Sequence, residues 1–295
     1  MCANRTRTFV VLLITSIVFR AGFANAQARW QTEKVAEIST GLATPECTLL
    51  LPSGDIAISN IQTEDEGYWV DDGKAYISLL DAQGQFKEAQ WIQSTPAFVF
   101  SAPKGMCVCQ GKLFFTDNQT IKYCDAATGE NLATIPGLLG ERFNDLATDG
   151  NSVWVSDNGA SKILCVQPDG TSRAVKSPLA PNGVTCWRGQ VFAVSWDRHD
   201  LYELDPKGVK EPVAFGLAEH FTNLDGIEVL GDGTFIVSDF QGHKVSAVTP
   251  DRKTVYTLIE MTTPADIGLD REKGYLFVPQ FLADKAFIYR LSKSQ

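Results

Sequence analysis

The sequence is poor in histidine, with only His199, His220 and His243 among its 295 residues. None of them lies beside a Gly-x-Ser-x-Gly motif, so the chain gives little support for a hydrolase with a Ser-His-Asp triad. The periodicity of amphipathic helices is nearly absent. No apolar run is long enough to span a bilayer as a helix. What remains is a series of short apolar runs rich in Val, Ile, Phe and Tyr, which is typical of an all-β protein.

Basic residues are also in the minority, since 26 Lys and Arg stand against 35 Asp and Glu, for a formal net charge of −9. An acidic surface disfavours nucleic acid and anionic membranes as partners, and it suits a protein that holds a cation.

The first residues have the composition of a targeting segment. Arg5 and Arg7 precede the apolar run 9–19, and small residues follow up to Ala26. This order predicts a cleavable signal peptide over residues 1–26, although a retained membrane anchor stays open as an alternative. We expect the mature protein, residues 27–295, to be a single periplasmic or secreted domain without membrane contact.

One pattern recurs six times along the chain: a polar residue opens a short apolar run, and two or three further runs follow, separated by turns. The opening pairs are Glu46-Cys47, Lys104-Gly105, Asn144-Asp145, Asn182-Gly183, Asp225-Gly226 and Asp266-Ile267. A period near 40 residues with four strands per unit is the signature of a β-propeller. The sequence therefore predicts a six-bladed β-propeller with four antiparallel strands per blade.

The two ends of the sequence supply the strands that the sixth copy needs to be complete. The last copy ends without a fourth strand, and a strand-like segment, residues 32–39, stands before the first copy with no partner of its own. Pairing the two would close the ring and remove an exposed edge. We expect the N-terminal strand to complete the sixth blade.

Six cysteines lie beyond the predicted signal peptide. They are Cys47, Cys107, Cys109, Cys124, Cys165 and Cys186. An even number in an exported protein allows disulfides, but most of these positions carry small apolar residues in the other copies. We expect buried thiols, with a single bridge in the second blade as the alternative; the spacings match no zinc site.

The opening residues are the candidate functional groups, because a propeller collects the starts of its innermost strands around one axis. Glu46, Asn144, Asn182 and Asp225 offer two carboxylates and two amides, an oxygen-rich set that suits Ca²⁺. A hydrogen-bonded polar plug without metal is the alternative. Lys104 either pairs with Asp266 or holds an anionic part of a substrate.

Loops on the same face extend the candidate site. In each copy the residue after the second run lies on this face, and we expect Asn118, Trp196 and Phe240 to contact substrate together with Lys104. A long loop over residues 60–74 carries Tyr68 and Trp69, which would add to an apolar rim.

Three segments carry a resemblance to a known family. They are FNDLATDGNSVWVSD (143–157), PNGV (181–184) and LDGIEVLGDGTFIVSD (224–239). With them the chain resembles the senescence marker protein, gluconolactonase and luciferin-regenerating enzyme family, and the segment PADIGLDREKGYLFVPQF (264–281) is similar to an exported bacterial branch of it. The resemblance implies a six-bladed propeller with a catalytic Ca²⁺ held by Glu46, Asn144, Asn182 and Asp225.

The expected activity is Ca²⁺-dependent hydrolysis of a lactone or related ester, a small-molecule substrate, with Asp225 or Asp266 activating water. The alternative is a non-catalytic ligand-binding or sensing propeller in which the metal or polar plug is structural. Another divalent cation in place of Ca²⁺ stays open.

Overall fold

Short runs of β-branched and aromatic residues, separated by turns that contain Gly, Asp or Asn, form strands along the whole described chain. The computed structural model describes Met1 and residues 29–63 and 67–294. Apart from Met1, the predicted signal peptide over residues 1–26 lies outside these residues. In the described part, helical structure is confined to two single-turn 3₁₀ helices, Ala218–His220 and Phe281–Ala283, and no helix there is long and apolar enough to cross a membrane.

The strands form six antiparallel sheets of four strands each, as predicted. Blade 1 contains β2 (Pro45–Leu50), β3 (Ile56–Asn60), β4 (Tyr76–Leu80) and β5 (Phe86–Gln93). Blade 2 contains β6 (Pro103–Cys109), β7 (Lys112–Asp117), β8 (Thr120–Asp125) and β9 (Ala133–Thr134). Blade 3 contains β10 (Phe143–Thr148), β11 (Val153–Asp157), β12 (Lys162–Val166) and β13 (Ser172–Val175).

The remaining blades follow the same order from the innermost strand outward. Blade 4 contains β14 (Pro181–Trp187), β15 (Gln190–Ser195), β16 (Leu201–Leu204) and β17 (Val213–Ala214). Blade 5 contains β18 (Leu224–Val229), β19 (Phe235–Asp239), β20 (Lys244–Val248) and β21 (Val255–Glu260). Blade 6 contains β22 (Gly268–Asp270), β23 (Tyr275–Gln280), β24 (Lys285–Lys293) and β1 (Trp30–Ile38).

The ring closes through the N-terminal strand. β1 pairs antiparallel with β24, from Trp30 opposite Lys293 to Ile38 opposite Ala286. This confirms the predicted closure, in which the first strand covers the edge that the last strand would otherwise expose. The sixth blade is thus made from both ends of the described chain.

The core lies between neighbouring blades, because successive side chains of a strand point to opposite faces. Phe115 packs with residues of blades 1 and 2, whereas Phe114, one residue earlier, packs between blades 2 and 3. All six described cysteines are free thiols, and five of them are buried. The expectation of core thiols is confirmed, and the alternative of a bridge in the second blade is wrong.

Candidate functional site

The innermost strand of a blade changes its pairing register at the residues that open it. In blade 3 the pairing with the second strand skips from Phe143 to Leu146, so Asn144 and Asp145 stand outside the ladder. Asp145 N donates instead to Ser156 Oγ at 2.9 Å. The same skip occurs in blades 1, 2, 4 and 5. Such a bulge re-aims side chains, and here it turns the opening residues toward the axis.

An acid at the end of the second strand holds the loop that leads to the opening residue. Asp157 Oδ1 accepts a hydrogen bond from Arg142 N at 3.0 Å, and Asp239 Oδ1 accepts one from Asn223 N at 2.9 Å. In both blades the donor lies two residues before the opening residue. These buried carboxylates therefore position the site without facing it.

Glycine after the opening residue lets neighbouring inner strands approach each other. A Cβ on Gly183 would lie 2.3 Å from Asp225 O, and a Cβ on Gly226 would lie 2.7 Å from Asp266 Oδ1. Only glycine fits at such a distance. The close approach brings the opening residues of adjacent blades into one cluster.

Five of the six predicted opening residues line one cavity of about 370 Å³, which we call the axial cavity. They are Glu46, Lys104, Asn144, Asn182 and Asp225, and all five are buried. The rest of its wall comes from loops on the same face: Tyr68, Trp69, Arg142, Asn158, Trp196, Phe240, Gln241 and Phe281. The floor is thus rich in oxygen, and much of the wall is aromatic.

Three oxygens on this floor have no protein partner. Glu46 Oε2, Asn144 Oδ1 and Asn182 Oδ1 are buried without a hydrogen-bond partner among the described residues. Three other buried atoms of the described chain share this property, on Asn118, His199 and Ser246, but none of these residues lines the axial cavity. A buried polar atom without a partner is costly, so three of them on one floor indicate that an additional group is held there.

The composition of this floor suits a hard cation. Carboxylate and amide oxygens are the ligands that Ca²⁺ prefers. Among the described residues no three His, Cys, Asp or Glu side chains are grouped to hold a metal ion. The fit here depends on two amides, from Asn144 and Asn182, in addition to the carboxylates of Glu46 and Asp225.

Burial and neighbouring charges shift the pKa values of the ionisable groups on the floor. Burial, and then the Asp225 carboxylate, raise the pKa of Glu46 well above its usual value. Burial, and then Asp145, raise the pKa of Asp225 to about 7. Lys104 opposes both shifts, and burial lowers its own pKa to about 8. The protein alone therefore does not stabilise both carboxylates in their charged form, whereas a bound cation would.

Lys104 connects the floor to the long loop of blade 1. Its Nζ donates to Tyr68 O at 2.5 Å and lies 4.0 Å from the centroid of the Trp69 ring. The Arg142 guanidinium lies 5.7 Å from the same ring. The Trp69 ring, which lines the cavity, therefore makes cation–π contacts with both Lys104 and Arg142.

The sixth opening position is occupied by Ala265, and the assignment of Asp266 to it is wrong by one residue. Blade 6 pairs Pro264 with Gln280, as blade 2 pairs Pro103 with Asp117 one residue before Lys104. Asp266 therefore corresponds to the residue after each opening residue. A shift of one residue along a strand sends the side chain to the other side.

Asp266 lines a second cavity, of about 380 Å³, toward the far ends of the inner strands. It shares this cavity with Cys47 and Asp145, and the Asp145 and Asp266 carboxyl groups hydrogen-bond to each other. Burial, and then Asp145, raise the pKa of Asp266 well above its usual value. The pair of Lys104 and Asp266, one of the two alternatives for Lys104, does not form, because the two side chains line different cavities.

Among the predicted substrate contacts, Lys104, Trp196 and Phe240 line the axial cavity and Asn118 does not. The Asn118 amide donates to Asp71 Oδ1 at 2.6 Å and so holds the long loop of blade 1. Its counterpart in blade 3, Asn158, does line the cavity.

Sequence reasoning missed several lining residues. Arg142 lies two residues before the opening residue Asn144, and the pattern of polar opening residues does not point to that position. Phe281 and Gln241 lie just after the second strand of a blade, like Trp196 and Phe240, and this shared position was the available signal. The three histidines, all in the described chain, lie outside the lining of the axial cavity.

Comparisons with known proteins identify the fold and leave the family open. No protein-family model matches the chain, and a search of curated proteins gives no match. Solved structures do match. A protein of unknown function from Bacteroides thetaiotaomicron has a TM-score of 0.64 at 12% identity, covering 90% of this chain and 77% of the other.

Two further neighbours carry functional names. One, proposed to be a gluconolactonase, has a TM-score of 0.64 at 17% identity, covering 91% of this chain and 93% of the other. The other, a catalytically inactive variant of virginiamycin B lyase from Staphylococcus aureus, has a TM-score of 0.60 at 15% identity, covering 89% of this chain and 99% of the other. At such identities the likeness shows a shared fold: the chain is a six-bladed β-propeller with enzymes among its structural neighbours.

Proposed function

We propose that this protein is a divalent-metal-dependent hydrolase of a lactone or related ester, with Ca²⁺ as the cation. The observation that carries the proposal is the set of buried oxygens of Glu46, Asn144 and Asn182, which find no partner in the described chain and face the same cavity as Asp225. The structural likeness to a protein proposed to be a gluconolactonase supports the same reaction class.

The cation would be held by Glu46, Asn144, Asn182 and Asp225. When bound, it would polarise the carbonyl oxygen of the substrate and stabilise the negative charge that develops there. The two carboxylates balance a divalent charge, and the amide oxygens add ligands without adding charge.

Asp225 is the carboxylate that we assign to the proton transfer. Its Oδ takes a proton from the attacking water, the water oxygen bonds to the carbonyl carbon, and the bond from that carbon to the alkoxy oxygen breaks. The alkoxide then takes that proton from Asp225, which returns to its carboxylate form, so the product of a lactone is a hydroxy acid. Asp266 faces the second cavity and is left out of this step.

Lys104 and Arg142 place positive charge beside the floor. Lys104 Nζ donates one of its three hydrogens to Tyr68 O, and this hydrogen bond holds the ammonium group at the cavity wall. Both cations would stabilise the carboxylate that hydrolysis produces. The aromatic residues at the mouth would limit the access of water to the reacting ester.

We further propose that the protein is exported, with residues 1–26 removed, and acts in the periplasm or outside the cell on a small molecule. The acidic composition, with 35 Asp and Glu against 26 Lys and Arg, supports a small molecule as the partner in preference to nucleic acid or a membrane surface.

A calcium titration of EDTA-treated protein tests the metal site first. We expect calorimetry to show one binding site, which Glu46→Gln abolishes, since this change removes the charge and keeps the shape. Glu37→Gln is the matched control, because Glu37 is a surface partner of Lys34 and Lys285. A screen of lactones and esters with and without Ca²⁺ then tests the chemistry.

The outcomes separate the possible functions. Calcium-dependent hydrolysis that Glu46→Gln removes supports the proposal. Calcium binding that only raises the melting temperature, without turnover of any ester, would favour the ligand-binding propeller with a structural metal. Failure of every divalent cation to bind would leave a polar plug and refute the hydrolase mechanism.

A further inference from the structure

Three successive blades present an aromatic side chain at the same structural position. Trp196, Phe240 and Phe281 each follow the second strand of blades 4, 5 and 6, and all three line the axial cavity. The equivalent residues of blades 2 and 3 are Asn118 and Asn158. The side of blades 4 to 6 is therefore mainly aromatic, with Gln241 as its polar neighbour, whereas Asn158 of blade 3 adds an amide on the other side.

The backbone holds each aromatic residue in the same way. Trp196 N donates to Ala180 O at 3.0 Å, and Phe240 N donates to Asn223 O at 2.9 Å. Phe281 N makes the corresponding bond, to Thr263 O at 3.0 Å. Because each bond ties the aromatic residue to the loop that precedes its own inner strand, the wall is built into the scaffold.

The rings form a continuous row along the axial cavity. The centroids of Trp196 and Phe240 lie 5.7 Å apart with the planes at 50°, and those of Phe240 and Phe281 lie 5.5 Å apart at 72°. Tyr68 continues the row, 4.9 Å from Phe281 at 67°. The four rings, in contact with one another, therefore give the cavity one connected aromatic surface.

Few polar groups accompany this wall. The charged groups lie on the floor or on the side of blades 2 and 3, where the Asn158 amide already donates to Pro181 O, and Gln241 of blade 5 is the amide beside the aromatic wall. A polyhydroxylated ring can place its C–H face on this wall, but its outward hydroxyl groups need polar partners, and beside the wall only the Gln241 amide lines the cavity, so most of these hydroxyl groups would lose hydrogen bonds to water. An apolar substituent meets no such penalty.

We propose that the axial cavity selects lactones or esters that carry an alkyl chain or an apolar ring, and that Trp196, Phe240 and Phe281 form the surface that this group contacts. This rests on the proposed hydrolase function and narrows its substrate class. A cavity of about 370 Å³ is large enough for a small lactone with such a substituent.

The experiment compares two lactones of equal ring size, δ-decalactone and glucono-δ-lactone, in buffer containing calcium chloride. We expect kcat/KM to be at least about tenfold higher for δ-decalactone. Phe240→Ala should lower kcat/KM for δ-decalactone by about tenfold or more and change that for glucono-δ-lactone by much less. Phe240→Leu, which keeps most of the apolar volume, should retain most of the activity on δ-decalactone. Val213→Ala, on the exposed outer strand of blade 4, is the control for loss of apolar surface elsewhere.

Binding of the corresponding lactams, followed by tryptophan fluorescence, separates this inference from the proposed function. Hydrolysis with a preference for glucono-δ-lactone, or an equal loss on both lactones in Phe240→Ala, would overturn the inference and leave the hydrolase intact. Tight binding of the alkyl lactam without turnover of any ester would support the apolar wall and refute the hydrolase. Equal binding of both lactams would also count against the wall as a selective surface.

Discussion

Replacing Asp225 with asparagine should stabilise the metal-free protein at pH 8 relative to wild type, although the change removes a proposed metal ligand. Asp225 is 6% exposed, and burial together with Asp145 raises its pKa from 3.8 to about 7. The folded protein therefore holds this proton more tightly than the unfolded chain does. It follows that the stability of the metal-free wild type falls as pH rises from about 4 to about 7.

The magnitude follows from the size of the shift. Each unit of pKa difference between folded and unfolded states corresponds to about 1.4 kcal/mol, so the full shift of Asp225 corresponds to about 4 kcal/mol of lost stability at pH 8. Part of this loss is already present at pH 5. Between pH 5 and pH 8 the free energy of unfolding of Asp225→Asn should therefore rise by about 3 kcal/mol relative to wild type.

Urea denaturation in EDTA at the two pH values measures this change. Comparing two pH values cancels any constant effect of placing an amide at this position. Asp169→Asn serves as the control, because Asp169 is an exposed turn residue whose hydrogen bonds with Thr171 lower its pKa, so its removal should give no such gain at pH 8. Excess Ca²⁺ at about 100 times its Kd should stabilise the wild type by about 2.7 kcal/mol and leave Asp225→Asn unchanged.

A difference between wild type and Asp225→Asn that is the same at pH 5 and pH 8 would refute the reasoning. It would mean that Asp225 is already ionised in the metal-free protein at pH 5, stabilised by Lys104 more strongly than burial opposes it. Lys104 would then neutralise Asp225 without a metal ion, and the argument for a bound cation would weaken.

Three further predictions follow from the same geometry. Asp266→Asn should change the calorimetric Kd for Ca²⁺ by no more than about threefold, since Asp266 faces the second cavity; loss of binding would contradict that placement. Gly183→Ala should cost about 1–3 kcal/mol in chemical denaturation and weaken Ca²⁺ binding, because its Cβ would meet Asp225 O; wild-type stability would show that the inner strands separate freely. Ile38→Ala should cost about 2–5 kcal/mol, because Ile38 is buried on the strand that closes the ring; a loss below about 1 kcal/mol would show that closure contributes little.

The fold was predictable from the sequence because each blade repeats the same local pattern. Apolar runs and turn residues specify hairpins, and hairpins of fixed number and period leave few ways to bury their faces. The unpaired segment 32–39 and the incomplete last copy predicted ring closure correctly, because each presents an edge that needs a partner.

The candidate site was predictable where polarity and position coincide. Glu46, Asn144, Asn182 and Asp225 stand at the start of an innermost strand, and the structure brings them to one cavity. In the sixth copy polarity pointed to Asp266 while the register placed Ala265 at the equivalent position. Polarity alone cannot distinguish neighbouring residues of a strand, although their side chains face different cavities.

The sequence by itself determined the number of blades, the strands that compose them and most of the polar groups at the axis, because these depend on local patterns and on a repeated period. Only the tertiary structure decided which cavity each side chain faces and how Lys104, Trp69 and the aromatic residues of blades 4 to 6 surround the floor. These arrangements depend on the pairing register and on contacts between residues far apart in the chain, which the identity of a residue does not specify.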